Sequence, residues 1–140
     1  MKLLTPRTLL AALTAGALLT APLSNVYAGV CDTDAVKDLP DNTITASWYG
    51  KEHHGRRTTS GEVFDEKKLT AAHSSLPLNT VVEVTNLMNG RKVQVKVNDR
   101  GMPNSGEIDL SLAAAKALGM VQCGLALVVL SVVPTPAKAK

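Results

Sequence analysis

Between residues 80 and 97 the chain alternates apolar and polar side chains twice over. In the segment Thr80 to Thr85, and again from Lys92 to Val97, valines recur at every second position. Val93, Val95 and Val97 fall on one face, and Gln94, Lys96 and Asn98 on the other. This is the period-two pattern of half-buried strands. Asn89-Gly90 lies between the two runs, and Asn-Gly in that position predicts a hairpin. The second strand carries Asp99 at its end, and Gly101 lets the backbone turn away. Residues 43–49 are β-prone and read as a first strand. Residues 68–73 form a short apolar run ending in His73, residues 76–79 a turn, and residues 125–133 a buried strand. The clear helix runs from Ser111 to Leu118, with Ser111 as N-cap and Gly119 where a left-handed C-terminal residue is wanted. Short strands with one small helix predict a mainly β fold, a compact barrel.

The first residues do not belong to that pattern. Met1 to Arg7 is short and basic, Leu9 to Leu23 is apolar, and Val26-Tyr27-Ala28 ends on a small residue. This predicts a secretory signal over residues 1–28, cleaved after Ala28. The apolar run is interrupted by Thr14, Gly16, Thr20 and Pro22 and is short for a span of about 20 residues, so no stable membrane anchor is expected. The expected location is the bacterial periplasm or the exterior. Export puts Cys31 and Cys123 in an oxidising compartment, where a disulfide is the default. Lipid on Cys31 is not expected, because Ala28 and Val30 stand where a lipobox wants Leu and a small residue. Loss of the leader removes Lys2 and Arg7 and leaves 13 Lys and Arg against 12 Asp and Glu, lowering the formal charge from +3 to +1. The basic balance therefore carries no implication of nucleic-acid binding. Residues 29–41 read as an N-terminal extension, 42–133 as the folded domain and 134–140 as a disordered tail. A monomer is expected.

Residues 50–61 are rich in Gly, Thr and charge and read as a long exposed loop, a common place for function. Trp48 and Tyr49 are adjacent on a strand and point to opposite faces, so at most one can line a cleft there. Glu62 and Asp65 flank Phe64 just after the loop. Asp109 stands two residues before the helix N-cap, where backbone N–H groups stabilise an acid. Each of these residues, and His73, has a structural explanation when taken alone. His53, His54 and His73 do not predict a metal site: adjacent histidines rarely reach one ion, and no Cys/His ligand spacing is present. No cofactor is expected.

The ordered set of short motifs changes that balance. Ala46–Gly50, His54 to Arg56, Ser60-Gly61-Glu62 with Phe64-Asp65, Leu69–His73, Val84–Leu87, Asn89–Arg91, Val97–Gly101 and Ile108–Ser111 together resemble the rare lipoprotein A family. Its members carry a double-psi β-barrel and include septal-ring lytic transglycosylases. The resemblance spans about Ile44 to Val133. It implies a six-stranded double-psi β-barrel with one or two short helices, a cleft that takes a peptidoglycan glycan strand, and site residues at Asp99, Glu62 and His73. It adds Asp65 from the same motif and Asp109 in a segment similar to that of the expansin acid. Trp48, Tyr49 and Arg100 complete the expected substrate-binding set, Arg100 for carboxylates of the muramyl peptide. The family's usual Asp-Arg-Gly-Pro-Phe is replaced here after Gly101 by Met102-Pro103, and no SPOR domain is expected to follow.

The implied reaction is lytic transglycosylation, in which the 6-hydroxyl of the muramic acid attacks its own C1. One acid can serve both proton transfers, and Asp99 is expected to be that acid. It must then carry a proton at working pH, held by apolar surroundings and neighbouring acids. The valines of its strand and Glu62 are expected to supply these, and His73 to hydrogen-bond a carboxylate. The alternative is a non-catalytic, expansin-like module that grips or loosens the wall. A secreted inhibitor-like binder is a further reading.

Overall fold

The computed structural model describes residues 31–101 and 107–134; the expected leader, the Met102-Pro103 segment and residues 135–140 lie outside them. Six strands close into a barrel: β1 (Ile44–Tyr49), β2 (Thr70–His73), β3 (Val81–Asn86), β4 (Lys92–Asp99), β5 (Ile108–Ser111) and β6 (Ala126–Val132). Among the described residues there is one α-helix, α1 (Leu112–Ala117), and there are two 3-10 turns, Thr33–Ala35 and Lys51–His53. The order around the barrel is β1-β5-β2-β4-β3-β6. The pairs β1/β5 and β2/β4 are parallel; the other neighbours are antiparallel. Closure leaves no unpaired sheet edge.

The alternating valines fill this barrel. Val82, Val84, Val93, Val95 and Val97 pack inside with Ala46, Ala71, Ile108, Leu110 and Val128. The strand that the pattern does not announce is β5. Its four residues hold only two inward positions, Ile108 and Leu110, both fully buried. Its partners, β1 and β2, are far away in sequence, so no local signal marks it.

The hairpin joins β3 and β4 as expected, but its loop is longer than a two-residue turn. Pairing runs to Thr85↔Lys92. Beyond it the Asn86 N–H donates to Arg91 O at 2.9 Å and the Gly90 N–H to Asn86 O at 2.8 Å. Gly90 is the residue there with positive φ, at 73°; a type I′ turn would require Asn89 to share it. The buried Asn86 fixes the loop to the helix end: its Oδ1 accepts from Met88 N at 2.9 Å, and its Nδ2 donates to Leu118 O at 3.1 Å.

Helix α1 has six residues, too few to persist without packing. Ser111 Oγ accepts from Ala114 N at 3.3 Å and donates to Lys68 O at 2.6 Å. At the other end Gly119 N donates to Lys116 O and Met120 N to Ala115 O, both at 3.0 Å, the paired bonds of a Schellman stop. Cys31 and Cys123 form the expected disulfide, 92 residues apart. Cys123 sits in the turn before β6 rather than on the strand. A bridge closing so long a loop contributes about 4–5 kcal/mol in the chain-entropy account.

The end of β4 departs from strict alternation. Against β2 the register steps from Ala71↔Val97 to Ala72↔Asp99, a bulge that leaves Asn98 without an opposite residue. Val97 and Asn98 are therefore both buried, and Asp99 is turned to a half-buried position. Without the bulge Asp99 would share the valine face. Such bulges re-aim side chains at barrel rims.

Gly90→Val places a β-branched residue in the left-handed region and is expected to lower stability by about 1–2 kcal/mol. Urea denaturation reads this directly, and an unchanged midpoint would contradict the loop geometry.

Candidate active site

Residues 57–63 form a narrow finger. Arg57 and Val63 make an isolated antiparallel bridge, and Thr58 N donates to Glu62 O at 2.8 Å. The finger lies against the end of β4. Ser60 N donates to Asn98 O at 3.0 Å. Asn98 Nδ2 donates to Glu62 Oε2 at 3.0 Å, and Lys96 Nζ donates to Glu62 Oε1. These bonds hold the Glu62 carboxyl below its usual range, Lys96 first and Asn98 second. Both Glu62 and Lys96 side chains are about 40% exposed, so the pair adds at most about 1 kcal/mol. Its effect is geometric.

On one side of the finger is a cleft of about 520 Å³ lined by Tyr49, Arg56, Thr58, Phe64, Asp99, Arg100 and Asp109 among others. Asp99 Oδ1 accepts three hydrogen bonds: from Thr59 N at 3.0 Å, Thr59 Oγ1 at 2.6 Å and Arg100 N at 2.8 Å. Asp109, on β5, accepts from Ser47 Oγ of the parallel neighbour β1. A methyl group on Gly101 would stand 3.3 Å from Asp109 Oδ2, so glycine here admits the carboxylate. Tyr49 packs on Phe64 with ring centroids 4.6 Å apart. Its phenol is pushed well above the ordinary value, first by burial and then by the charges of Asp99 and Asp109. Its hydroxyl and that of Thr70 beside it are buried without a well-formed hydrogen bond.

On the other side is a separate groove of about 480 Å³, lined by Glu62, Val63, Asp65, Lys68, Leu69, Thr70, Lys96 and Asn98. The finger thus divides the expected site. Glu62 does not line the Asp99 cleft, and the β4 valines face the barrel interior, so neither forms the surroundings expected for Asp99. Asp65 is on the Glu62 side, where its Oδ1 accepts from Lys67 N at 2.9 Å. Trp48 faces away from Tyr49, packs on the core and borders a third depression with Gly50 and Leu112.

His73 also departs from its expected role. Its Nδ1 accepts from Ser75 N and Leu76 N, both at 3.2 Å. The ring thus holds the turn after β2, and none of its hydrogen bonds among the described residues goes to a carboxylate. Arg100 holds the same turn, donating from Nη1 to His73 O at 3.0 Å and to Leu76 O. Nη1 is thereby committed to backbone carbonyls, while Arg100 also lines the cleft. Asp109 is not a helix cap; Ser111 caps α1, and Asp109 faces the cleft. Sequence reasoning missed Thr59, Ser47, Lys96 and Asn98. Thr59 lies in the long polar loop, and Ser47 and Asn98 lie in the motifs that carry the resemblance, but those signals were for the segments and not for the single residues. Among the described residues no group of three or more His, Cys, Asp and Glu is placed to hold a metal, and no helix is long and apolar enough to cross a membrane.

Burial first, and Arg100 second, hold the His73 imidazole below its ordinary value. A histidine depressed in the folded state stabilises fully above its unfolded value of about 6.5, and that stability is lost as pH falls from there toward the folded value. Stability is expected to drop across this window. His73→Asn, which keeps an acceptor near the Nδ1 position and does not titrate, is expected to flatten the drop. A His73 NMR titration midpoint at or above the ordinary value would contradict this.

Comparison with known proteins places this geometry. The lytic transglycolase family is matched over residues 41–130. The chain is 51% identical over 89 residues to the endolytic peptidoglycan transglycosylase RlpA of Campylobacter jejuni, covering 63% of this chain and 32% of that protein. It is 55% identical over 83 residues to the protein of the same name from Pseudomonas aeruginosa, covering 59% and 24%. The chain spans about a third or less of the length of these two relatives. The crystal structure of the expansin of Clavibacter michiganensis superimposes with a TM-score of 0.57 at 24% identity, covering 69% of this chain and 52% of that one. This likeness shows the shared double-psi barrel.

Proposed function

The chain belongs to the lytic transglycolase family, and we propose that it cleaves the β-1,4 bond after N-acetylmuramic acid in exported peptidoglycan, with Asp99 as the acid and then the base. The observation that carries this reading is the Asp99 carboxylate fixed by three donors at the edge of a cleft that also holds Asp109. In the first half of the reaction Asp99 gives its proton to the glycosidic oxygen as the bond from C1 breaks. In the second half the muramic 6-hydroxyl bonds to C1 and its proton passes to Asp99. One bond is exchanged for another, the proton returns to its donor, and no water is consumed. Proton transfer of this kind contributes about 10²–10⁴-fold.

Asp109 supplies negative charge across the cleft for the positive character that develops at C1 in an oxocarbenium-like transition state. Ser47 orients it. Arg56, exposed at the cleft, is the side chain suited to an acidic group of the glycan, in place of Arg100. Glu62 is a positioning residue: through Asn98 and Lys96 it holds the finger on β4. His73 and Arg100 position the turn after β2. The protein acts outside the cytoplasm, released by cleavage after Ala28.

Asp99→Asn keeps shape and removes the titrating proton. It is expected to lower turnover of peptidoglycan sacculi by about 10²–10⁴-fold with the melting temperature retained. Mass spectrometry of the wild-type products is expected to show 1,6-anhydromuramyl ends, one water lighter than reducing ends. Reducing ends alone would replace the mechanism by hydrolysis. Binding to sacculi with no turnover would favour the non-catalytic glycan-binding module.

A further inference from the structure

Thr59 stands at the tip of the finger and reaches Asp99 with two groups at once. Its amide donates to Oδ1 at 3.0 Å and its hydroxyl to the same atom at 2.6 Å. The Arg100 amide adds a third donor at 2.8 Å. A carboxylate oxygen offers about two lone-pair sites, so Oδ1 is saturated and a proton placed on it would have to displace a donor. Among the described residues no hydrogen bond to Oδ2 competes for the proton. The two oxygens of one carboxyl group are therefore made unequal by the finger.

We propose that Thr59 is a positioning residue for Asp99: it occupies Oδ1 and so directs the reacting proton to Oδ2. The proposal rests on Asp99 being the acid of the reaction. The other titratable and charged groups around the cleft are Asp109 from β5, Tyr49 from β1, His53, Arg56 and Arg57 from the long loop, and Arg100 beside Asp99. None of them is altered by a change at Thr59. Thr59 itself is exposed, so its removal leaves the core untouched.

Two substitutions separate the hydroxyl from the rest of the side chain. Thr59→Val keeps the shape and the amide and loses the donor; Thr59→Ser keeps the donor. Thr59→Val is expected to lower kcat by about tenfold or more with little change in KM, in line with one lost hydrogen bond to a charged group. Thr59→Ser should restore kcat. The carbon-13 chemical shift of the Asp99 carboxyl group reads the same contact without turnover: it should change in Thr59→Val and stay at the wild-type value in Thr59→Ser. An unchanged shift in Thr59→Val overturns the proposal, as does equal impairment in both variants. If the shift moves and the wild type shows no turnover, the contact stands and the reading of Asp99 as an acid fails. Should Thr59→Val fail to fold, Thr59→Ala carries the same two measurements.

Discussion

The attachment of the finger to the end of β4 is the constraint on which the site depends. Three polar positions of the finger, at 59, 60 and 62, meet three of the strand, at 96, 98 and 99. The strand is rigid because it is paired on both sides, to β2 and to β3. The finger has one isolated bridge and a few turn hydrogen bonds of its own. It is placed by the strand, and in return it supplies two of the donors that fix Asp99. Chemistry that needs a carboxyl group held in one geometry thus rests on contacts that are individually weak and collectively directional.

The bulge at Ala71/Ala72 makes this arrangement possible. It lets a strand with a strictly alternating valine face finish with its last acid at the rim. It also buries Asn98, whose amide then grips Glu62. A buried amide is unfavourable unless bonded, so the Glu62 contact satisfies Nδ2, while Oδ1 has no partner among the described residues. Glu62 and Asp99 are thereby linked through one strand end while opening onto different depressions.

Much of the fold was legible in the sequence because its signals are local. The valine alternation, Asn89-Gly90, and Ser111 with Gly119 each act through near neighbours, and the two cysteines are bonded as expected. Strand β5 was not legible, since its pairing with β1 and β2 is long-range and two inward residues make no periodicity. Asp99, Tyr49 and Asp109 were named and are brought together. Glu62 and Trp48 open onto other depressions, and His73 and Arg100 hold the turn after β2, because a motif marks that a residue belongs to a site and not which way its side chain turns. Thr59 and Ser47 were not singled out: a hydroxyl in a polar loop or strand is common, and only the folded register gives it a carboxylate.

The most direct test of this account is a double-mutant cycle on kcat with Glu62→Gln and Lys96→Met. If Glu62 acts by holding the finger, each change lowers kcat, KM moves little, and the double variant is scarcely worse than the more damaging single one, because both remove the same clamp. Contradiction would come from Lys96→Met retaining full kcat while Glu62→Gln abolishes turnover. Glu62 would then take part in the chemistry itself.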